Sequence, residues 1–349
     1  MKKRALLVIG HENVARGRRY VSFVRFVYYA QKFKRQDLEL KIINYTQLLS
    51  GRIPRIRAHS ITVVLFFPYQ YWNRNIEVYR DGRIYGDNRF GREFQFFFTR
   101  VKKKLQKYYR GKQIEYLNSP EACILDRDKQ ATKDLLHKYL VPVPQSFFVS
   151  SFSGVNKLLK RGLSLYIKPR FGAMGKGISY INKKSLLSNF LIRRGKIISR
   201  NSDFNWGFIR IKNKKKFINR LLSRGFICEQ AITPAVLNNR RFDFRIYVVF
   251  GRIVYLYAKS SPNHCLVTNW SQGGKIDRKK NFLNSLPKTK IELLNRLARK
   301  TARVLGLNFA GIDVIFSQDW KQAYVLEANA FPGYEKGFDL MRYLSNLLV

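Results

Sequence analysis

The sequence predicts an α/β chain: an open strand–helix–strand region followed by a larger part of α+β character. Three observations carry this. Short apolar runs rich in β-branched residues alternate with amphipathic stretches from the N-terminus onward. Hydrophobic residues make up 46% and aromatics 15% of the 349 residues, so the chain can bury a sizeable core and is no disordered tail. Asn118-Ser119-Pro120 then breaks the chain into regions 1–118 and 119–349.

In the first region, residues 4–9 read as a buried strand. The apolar run behind Lys2-Lys3-Arg4 is too short for a signal peptide. A helix is expected over 20–33 and strands over 38–45 and 61–67, the last ended by Pro68. Gly10 has no G-x-G-x-x-G around it, so a dinucleotide site is unsupported, and His11 reads as a loop residue. The stretches 69–72 and 94–98 set aromatics beside Arg and Lys. Such a mixture stacks bases or packs a core, and core packing is the commoner use.

In the second region, Ser119 and Pro120 read as N-cap and first-turn residue of a helix. A second helical stretch, 126–140, contains Asp128-Lys129 and is broken by Val141-Pro142-Val143-Pro144. Strand 145–149, helix 153–160, strand 164–168, a glycine loop and strand 178–181 follow. A basic polar stretch runs to Arg224, then a strand at 226–229 and a hairpin of 242–250 with 252–259 turning at Gly251. An amphipathic helix at 291–305, with Ile291, Leu294, Leu297 and Ala298 on one side, leads into a last hairpin, 311–316 with 323–329.

The formal net charge is +45. Residues 1–118 carry 26 Lys+Arg against 8 Asp+Glu, and 119–349 carry 41 against 14, so the charge is no basic arm. Such a field attracts polyanions, an acidic protein tail among them; the lysine clusters at 102–104, 214–216 and 278–280 are most simply solvated faces. Cys123, Cys228 and Cys265 are odd in number and lack ligand spacing, which argues against a disulfide framework or zinc site. No apolar run spans a bilayer, and a cytoplasmic location is expected.

Chemistry concentrates in two places. In the last hairpin, pairing Phe316 with Tyr324 sets Asp313 opposite Glu327, and Asn329 falls on the same face. Two carboxylates and an amide oxygen suit a hard cation such as Mg²⁺; the alternative is a pair of strand acids neutralised by some of the many Lys and Arg. The glycine loop, residues 168–177, reads KPRFGAMGKG between two strands. It is no Walker loop, which a helix would follow. Its glycines let the backbone close on a ligand and aim N–H groups at phosphate oxygens, with Lys168 able to add an ammonium.

The order of these pieces is more specific than any one of them. Asp128-Lys129, the Val-Pro-Val-Pro break, Lys168 with its glycine loop, Glu229-Gln230-Ala231-Ile232, Asp243-Phe244-Arg245, Gly311-Ile312-Asp313 and Leu326-Glu327-Ala328-Asn329 occur in sequence. At this point the chain resembles the ATP-grasp superfamily over roughly 119–340, most of all the glutathione-synthetase and ribosomal-protein glutamate-ligase type and the spore-coat-associated ATP-grasp proteins. Region 1–118 would be the preceding α/β domain, with a glycine-loop subdomain at about 145–230 and a metal-site subdomain at about 231–349.

The resemblance implies ATP between those subdomains and two Mg²⁺ ions. Lys129 and Lys168 match the phosphate-contacting lysines, and Gly172, Gly175, Lys176 and Gly177 the closing loop. Glu229 matches the residue that meets the adenine amino group, with Gln230 and Ile232 at the hinge. Asp313, Glu327 and Asn329 match metal ligands; Arg245, Lys259 and Asn269 match contacts to phosphate or substrate. The acid that often binds ribose is missing: Ala235, Val236 and Leu237 stand there, with Asn238 or Asn239 as substitutes.

The implied activity is an ATP-dependent carboxylate–amine ligase that works through an acyl phosphate, needing no histidine base. It would take a carboxylate substrate and an amine substrate. The alternative from another class is a nucleotide-binding scaffold or polyanion-binding protein with a degenerate ATP-grasp fold. A hydrolase built on Asp313 and Glu327 would leave the glycine loop unused.

Overall fold

The computed structural model describes residues 4–11, 21–33, 37–77, 83–200, 202, 204–277, 281–334 and 338–345. Its first sheet is parallel, from β1 (Arg4–Gly10), β2 (Leu38–Asn44), β3 (Ser60–Leu65) and β4 (Gln113–Tyr116), in the order β2-β1-β3-β4. Ala5 to Ile9 are all buried, as expected of a parallel strand covered on both faces. Helices α1 (Val21–Lys32), α2 (Tyr45–Ser50), the single turn α3 (Tyr69–Tyr71) and α4 (Asn88–Tyr108) accompany it. Tyr45 opens α2 instead of ending β2, because Asn44 and Gln47 form a capping box. Tyr20, part of the expected first helix, lies outside the described residues.

The sequence reading missed α4, which is 21 residues long. Its aromatics do pack a core. Phe94, Phe97, Phe98, Val101 and Leu105 recur at helical spacing and are buried, while Phe96 faces out. Another correction concerns the stretch 126–140. The first helix, α5 (Pro120–Arg127), runs into it, and the second, α6 (Lys129–Lys138), starts at Lys129 and not at 126, because Asp128 is extended and caps it through the N–H groups of Gln130 and Ala131. Ser119 caps α5 as expected.

The second sheet is built from β5 (Ser146–Phe147), β6 (Leu165–Pro169), β7 (Ser179–Ile181), β8 (Leu186–Ser188), β11 (Ile209–Arg210) and β12 (Phe226–Gln230). Their order is β11-β8-β7-β6-β12-β5, and helices α7 (Phe152–Lys160) and α8 (Lys214–Leu222) join them. The stretch read as basic and polar thus holds structure: β8, a small hairpin of β9 (Leu191–Arg193) and β10 (Lys196–Ile198), β11 and α8. Strands of two or three residues are too short to show an alternation pattern. The cluster 214–216 opens α8, 102–104 lies on α4, and 278–280 lies outside the described residues.

The third sheet runs β16 (Lys275–Ile276), β15 (Arg252–Pro262), β14 (Arg240–Val249), β17 (Phe309–Phe316), β18 (Ala323–Glu327), with β13 (Val236–Leu237) also on β14. Helix α10 (Lys288–Val304) covers it through Leu294, Leu297, Ala298 and Ala302. The short helices α9 (Asn281–Asn284) and α11 (Met341–Leu344) complete the elements. Among the described residues no helix is long and apolar enough to cross a membrane.

Candidate active site

A cleft of about 970 Å³, open to solvent, lies between the second and third sheets. Its walls come from β6, the glycine loop and the end of β12 on one side, and from β14, β15, β17 and β18 on the other. Lys129, at the start of α6, reaches it from the end. Gln230 and Ile232 line it where the chain passes from β12 towards β13.

On the third sheet one rung joins Arg245 on β14, Asp313 on β17 and Glu327 on β18. The rung depends on a β-bulge. Phe316 pairs with Ala323, and not with Tyr324 as the sequence reading placed it. Carried straight down the strand, that register would bring Leu326 to Asp313. A register shift between Asp313 and Val314 restores Glu327 to the position opposite Asp313. Past β18, the Gly311 N–H donates to the Asn329 carbonyl at 3.0 Å, and the Asn329 side-chain amide donates to the Gly311 carbonyl at 3.2 Å.

Both acids of the rung are already paired. Arg245 Nε and Nη2 each lie 2.7 Å from an Asp313 oxygen, and Lys259 Nζ lies 2.9 Å from Asp313 and from Asp243. Lys129 pairs with Glu327. Burial works against the Asp313 charge, yet Arg245 and Lys259 outweigh it and hold the carboxyl at about 2. Burial likewise opposes ionisation of Glu327, and Lys129 foremost turns the balance to a lowered value.

Deeper in the cleft, Glu229 is only 4% exposed, and its carboxylate lies between Lys168 and Lys133. It therefore meets two ammonium groups at the position where an adenine contact was expected. Lys133 was not picked out from sequence; its signal was the i, i+4 spacing from Lys129 on one helix face. Burial, then the nearby Lys129 charge, draw Lys168 down to about 7, while the Glu327 carboxylate opposes loss of its proton. Lys129 is itself positioned through its neighbour: Asp128 takes both Nε and Nη2 of Arg170 at 2.6 Å.

The glycine loop follows β6 with Met174, Gly175 and Gly177 in the left-handed region. It is tied down on both sides. The Tyr85 hydroxyl accepts the Ala173 N–H at 2.8 Å, and Ser271 Oγ and Gln272 Nε2 donate to the Met174 carbonyl at 3.0 and 3.1 Å. Asn269 lines the cleft against Gly175, where a Cβ would come within 3.0 Å of its Oδ1. Lys176 also lines the cleft, but its buried ammonium pairs with Glu77 and sits 4.3 Å from the Tyr85 ring centre. It anchors the loop to the N-terminal region. Asn238 and Asn239 form the left-handed turn before β14 and are not among the residues lining the cleft.

A profile of YheC/D like ATP-grasp proteins matches residues 128–343, more than half of the chain. The chain belongs to the YheC/D-like ATP-grasp family. Among curated relatives of this ATP-grasp chain, a probable alpha-L-glutamate ligase of Haemophilus ducreyi is 26% identical over 65% of this chain and 62% of its own length. A tetrahydromethanopterin:alpha-L-glutamate ligase of Methanocaldococcus jannaschii is 26% identical over 68% of each. This chain thus spans less than two thirds of the first relative. Among solved structures, the ATP-grasp ligase PsnB bound to a minimal precursor aligns over 100% of this chain and 99% of its own, with TM-score 0.53 and 15% identity. The D-alanine–D-alanine ligase of Bacillus anthracis aligns over 99% and 92%, with TM-score 0.54 and 13% identity. These likenesses agree with the ATP-grasp fold expected from sequence.

Proposed function

We propose that the protein is an ATP-dependent carboxylate–amine ligase. The observation that carries this is the convergence, in one cleft, of a glycine loop, Lys129 and Lys168, and the opposed Asp313 and Glu327. A carboxylate oxygen of the substrate attacks the γ-phosphorus of ATP, and the bond to the β,γ-bridging oxygen breaks. ADP leaves and an acyl phosphate forms. An amine then attacks the acyl carbon, inorganic phosphate departs, and the amine proton is lost to solvent. The loop N–H groups and the two lysines hold the phosphates, and Arg245 and Lys259 offset developing charge.

The donor set fits Mg²⁺. Asp313 and Glu327 are directly opposed carboxylates and Asn329 adds an amide oxygen, all hard ligands. Two ions are the expected complement; bound there, they would neutralise phosphate charge. Lys129, now on Glu327, can move to phosphate as metal takes the carboxylate. The names of the relatives make glutamate the first amine to assay. Peptides come second, since PsnB is bound to a precursor. The net charge of +45 adds an acidic tail or other polyanion as a proposed docking partner.

The test uses hydroxylamine, which traps an acyl phosphate as a hydroxamate. With Mg-ATP and a panel of carboxylic acids, the parent forms hydroxamate. Glu327→Gln binds ATP but loses on the order of 100-fold or more in turnover, as when a comparable electrostatic contact is lost. Equal hydroxamate from both proteins would remove Glu327 from the reaction. A parent that binds ATP and forms none with any acid would favour a nucleotide-binding scaffold.

A further inference from the structure

No acid stands at positions 235–237, where the resemblance led to the expectation of a ribose-binding carboxylate. Ala235 is buried in the core and Val236 and Leu237 form β13, which leaves the cleft wall there to Arg241. Its side chain is 8% exposed and lines the cleft. Nη1 donates to the Cys265 carbonyl at 2.6 Å, and the Tyr166 hydroxyl, bonded to the Leu266 carbonyl at 2.9 Å, stands beside it. Nε is buried without a hydrogen-bond partner, and among the described residues no carboxylate pairs with this guanidinium. Its neighbour Lys259, by contrast, lies between Asp243 and Asp313. A guanidinium held at the cleft wall with no carboxylate partner is costly unless something in the cleft accepts from the donors that face it.

Position narrows what that is. Arg241, Asp243 and Arg245 alternate on one face of β14, so Arg241 stands four residues from the metal rung, about 13 Å at roughly 3.3 Å per residue. Its backbone pairs with Val236, just past the hinge, and Tyr166 beside it pairs with Glu229. Arg241 is therefore on the hinge side of the cleft, away from phosphoryl transfer. We propose that Arg241 holds the ribose of the bound nucleotide, its guanidinium donating to the ribose hydroxyl oxygens. This rests on the nucleotide site of the proposed function. A guanidinium only donates, so it reads the hydroxyls as acceptors, where a carboxylate would read them as donors.

Calorimetric titration of ATP, 2′-deoxy-ATP and 3′-deoxy-ATP into the full chain tests this, with Arg241→Met and Arg241→Lys alongside. In the parent, removing the contacted hydroxyl weakens binding roughly tenfold, as for a hydrogen bond to a charged group. Arg241→Met binds ATP as weakly as the parent binds the deoxy analogue and no longer tells the two apart. Arg241→Lys keeps part of the discrimination. A parent that binds all three nucleotides equally overturns the assignment without any variant, and so does an Arg241→Met protein that still discriminates. A parent that binds no ATP overturns the nucleotide site itself, and Arg241's role with it.

Discussion

Under the proposed function the Lys168–Glu229 ion pair would serve two states. Glu229 takes two ammonium groups, so drawing Lys168 onto a phosphate leaves Lys133 to compensate the carboxylate. Lys168→Ala should therefore keep the fold, yet weaken Mg-ATP binding by roughly tenfold or more, since the lost contact is charge-assisted; equal affinities by calorimetry would move the phosphates elsewhere. Asp126 makes a different prediction. Burial raises its carboxyl to about 7, although Oδ2 accepts the Ala330 N–H at 2.8 Å. The unfolded value is near 3.9. Between these values the folded chain holds a proton that the unfolded chain has lost. That stability is complete below about pH 4 and disappears as pH rises through 7. Asp126→Asn cannot titrate, so its urea midpoint should gain on the parent's from pH 4.5 to pH 8. Buried His11, lowered to about 4 by desolvation, contributes the opposite slope, and the comparison of parent with variant cancels it.

Elements set these residues in place through local devices. The bulge in β17–β18 is one; Asp128 between α5 and α6 is another. Gly10 is a third. It ends β1, and a Cβ there would lie 2.3 Å from Cε2 of Phe23, a buried ring packed on Phe66 at 5.1 Å and His11 at 5.3 Å. The ring is 2% exposed, so yielding would disturb its neighbours. Gly10→Ala should cost about 1–3 kcal/mol by overpacking, seen as a lower Tm. An unchanged melting curve would show that Phe23 can move. The lone glycine therefore answers to packing against Phe23.

Over the whole molecule, hydrophobic cores cross the sheets. One joins the first and second sheets through Phe94, Phe98, Leu165 and Ile167; another joins the first and third through Val8, Phe26, Tyr247 and Phe309. Asn118, at the boundary read from sequence, donates to the carbonyls of Phe309 at 2.7 Å and Ala330 at 2.9 Å. The N-terminal region thus braces both walls of the cleft. Charge is the other property of the whole chain. At +45, retention on an acidic polymer should be strong at low salt and fall steeply as the Debye length drops from roughly 10 Å at 0.1 M to about 3 Å at 1 M. No retention at low salt on acidic peptide, nucleic acid or anionic vesicles would give the charge another origin.

The sequence by itself determined the order of elements, the glycine loop, the hairpin carrying Asp313 and Glu327, and the family, because these rest on local spacing and turn chemistry. It missed α4, whose bulky phenylalanines hid a helical period, and the two- and three-residue strands after the loop, too short to carry any period. Only the tertiary structure decided what each charge faces. Lys133 on Glu229, Lys176 on Glu77 and Arg241 without a carboxylate among the described residues depend on strands and helices far apart in the chain. In a sequence with 67 Lys and Arg, nothing local distinguishes a buried cation from a solvated one; burial and the partner across the cleft do.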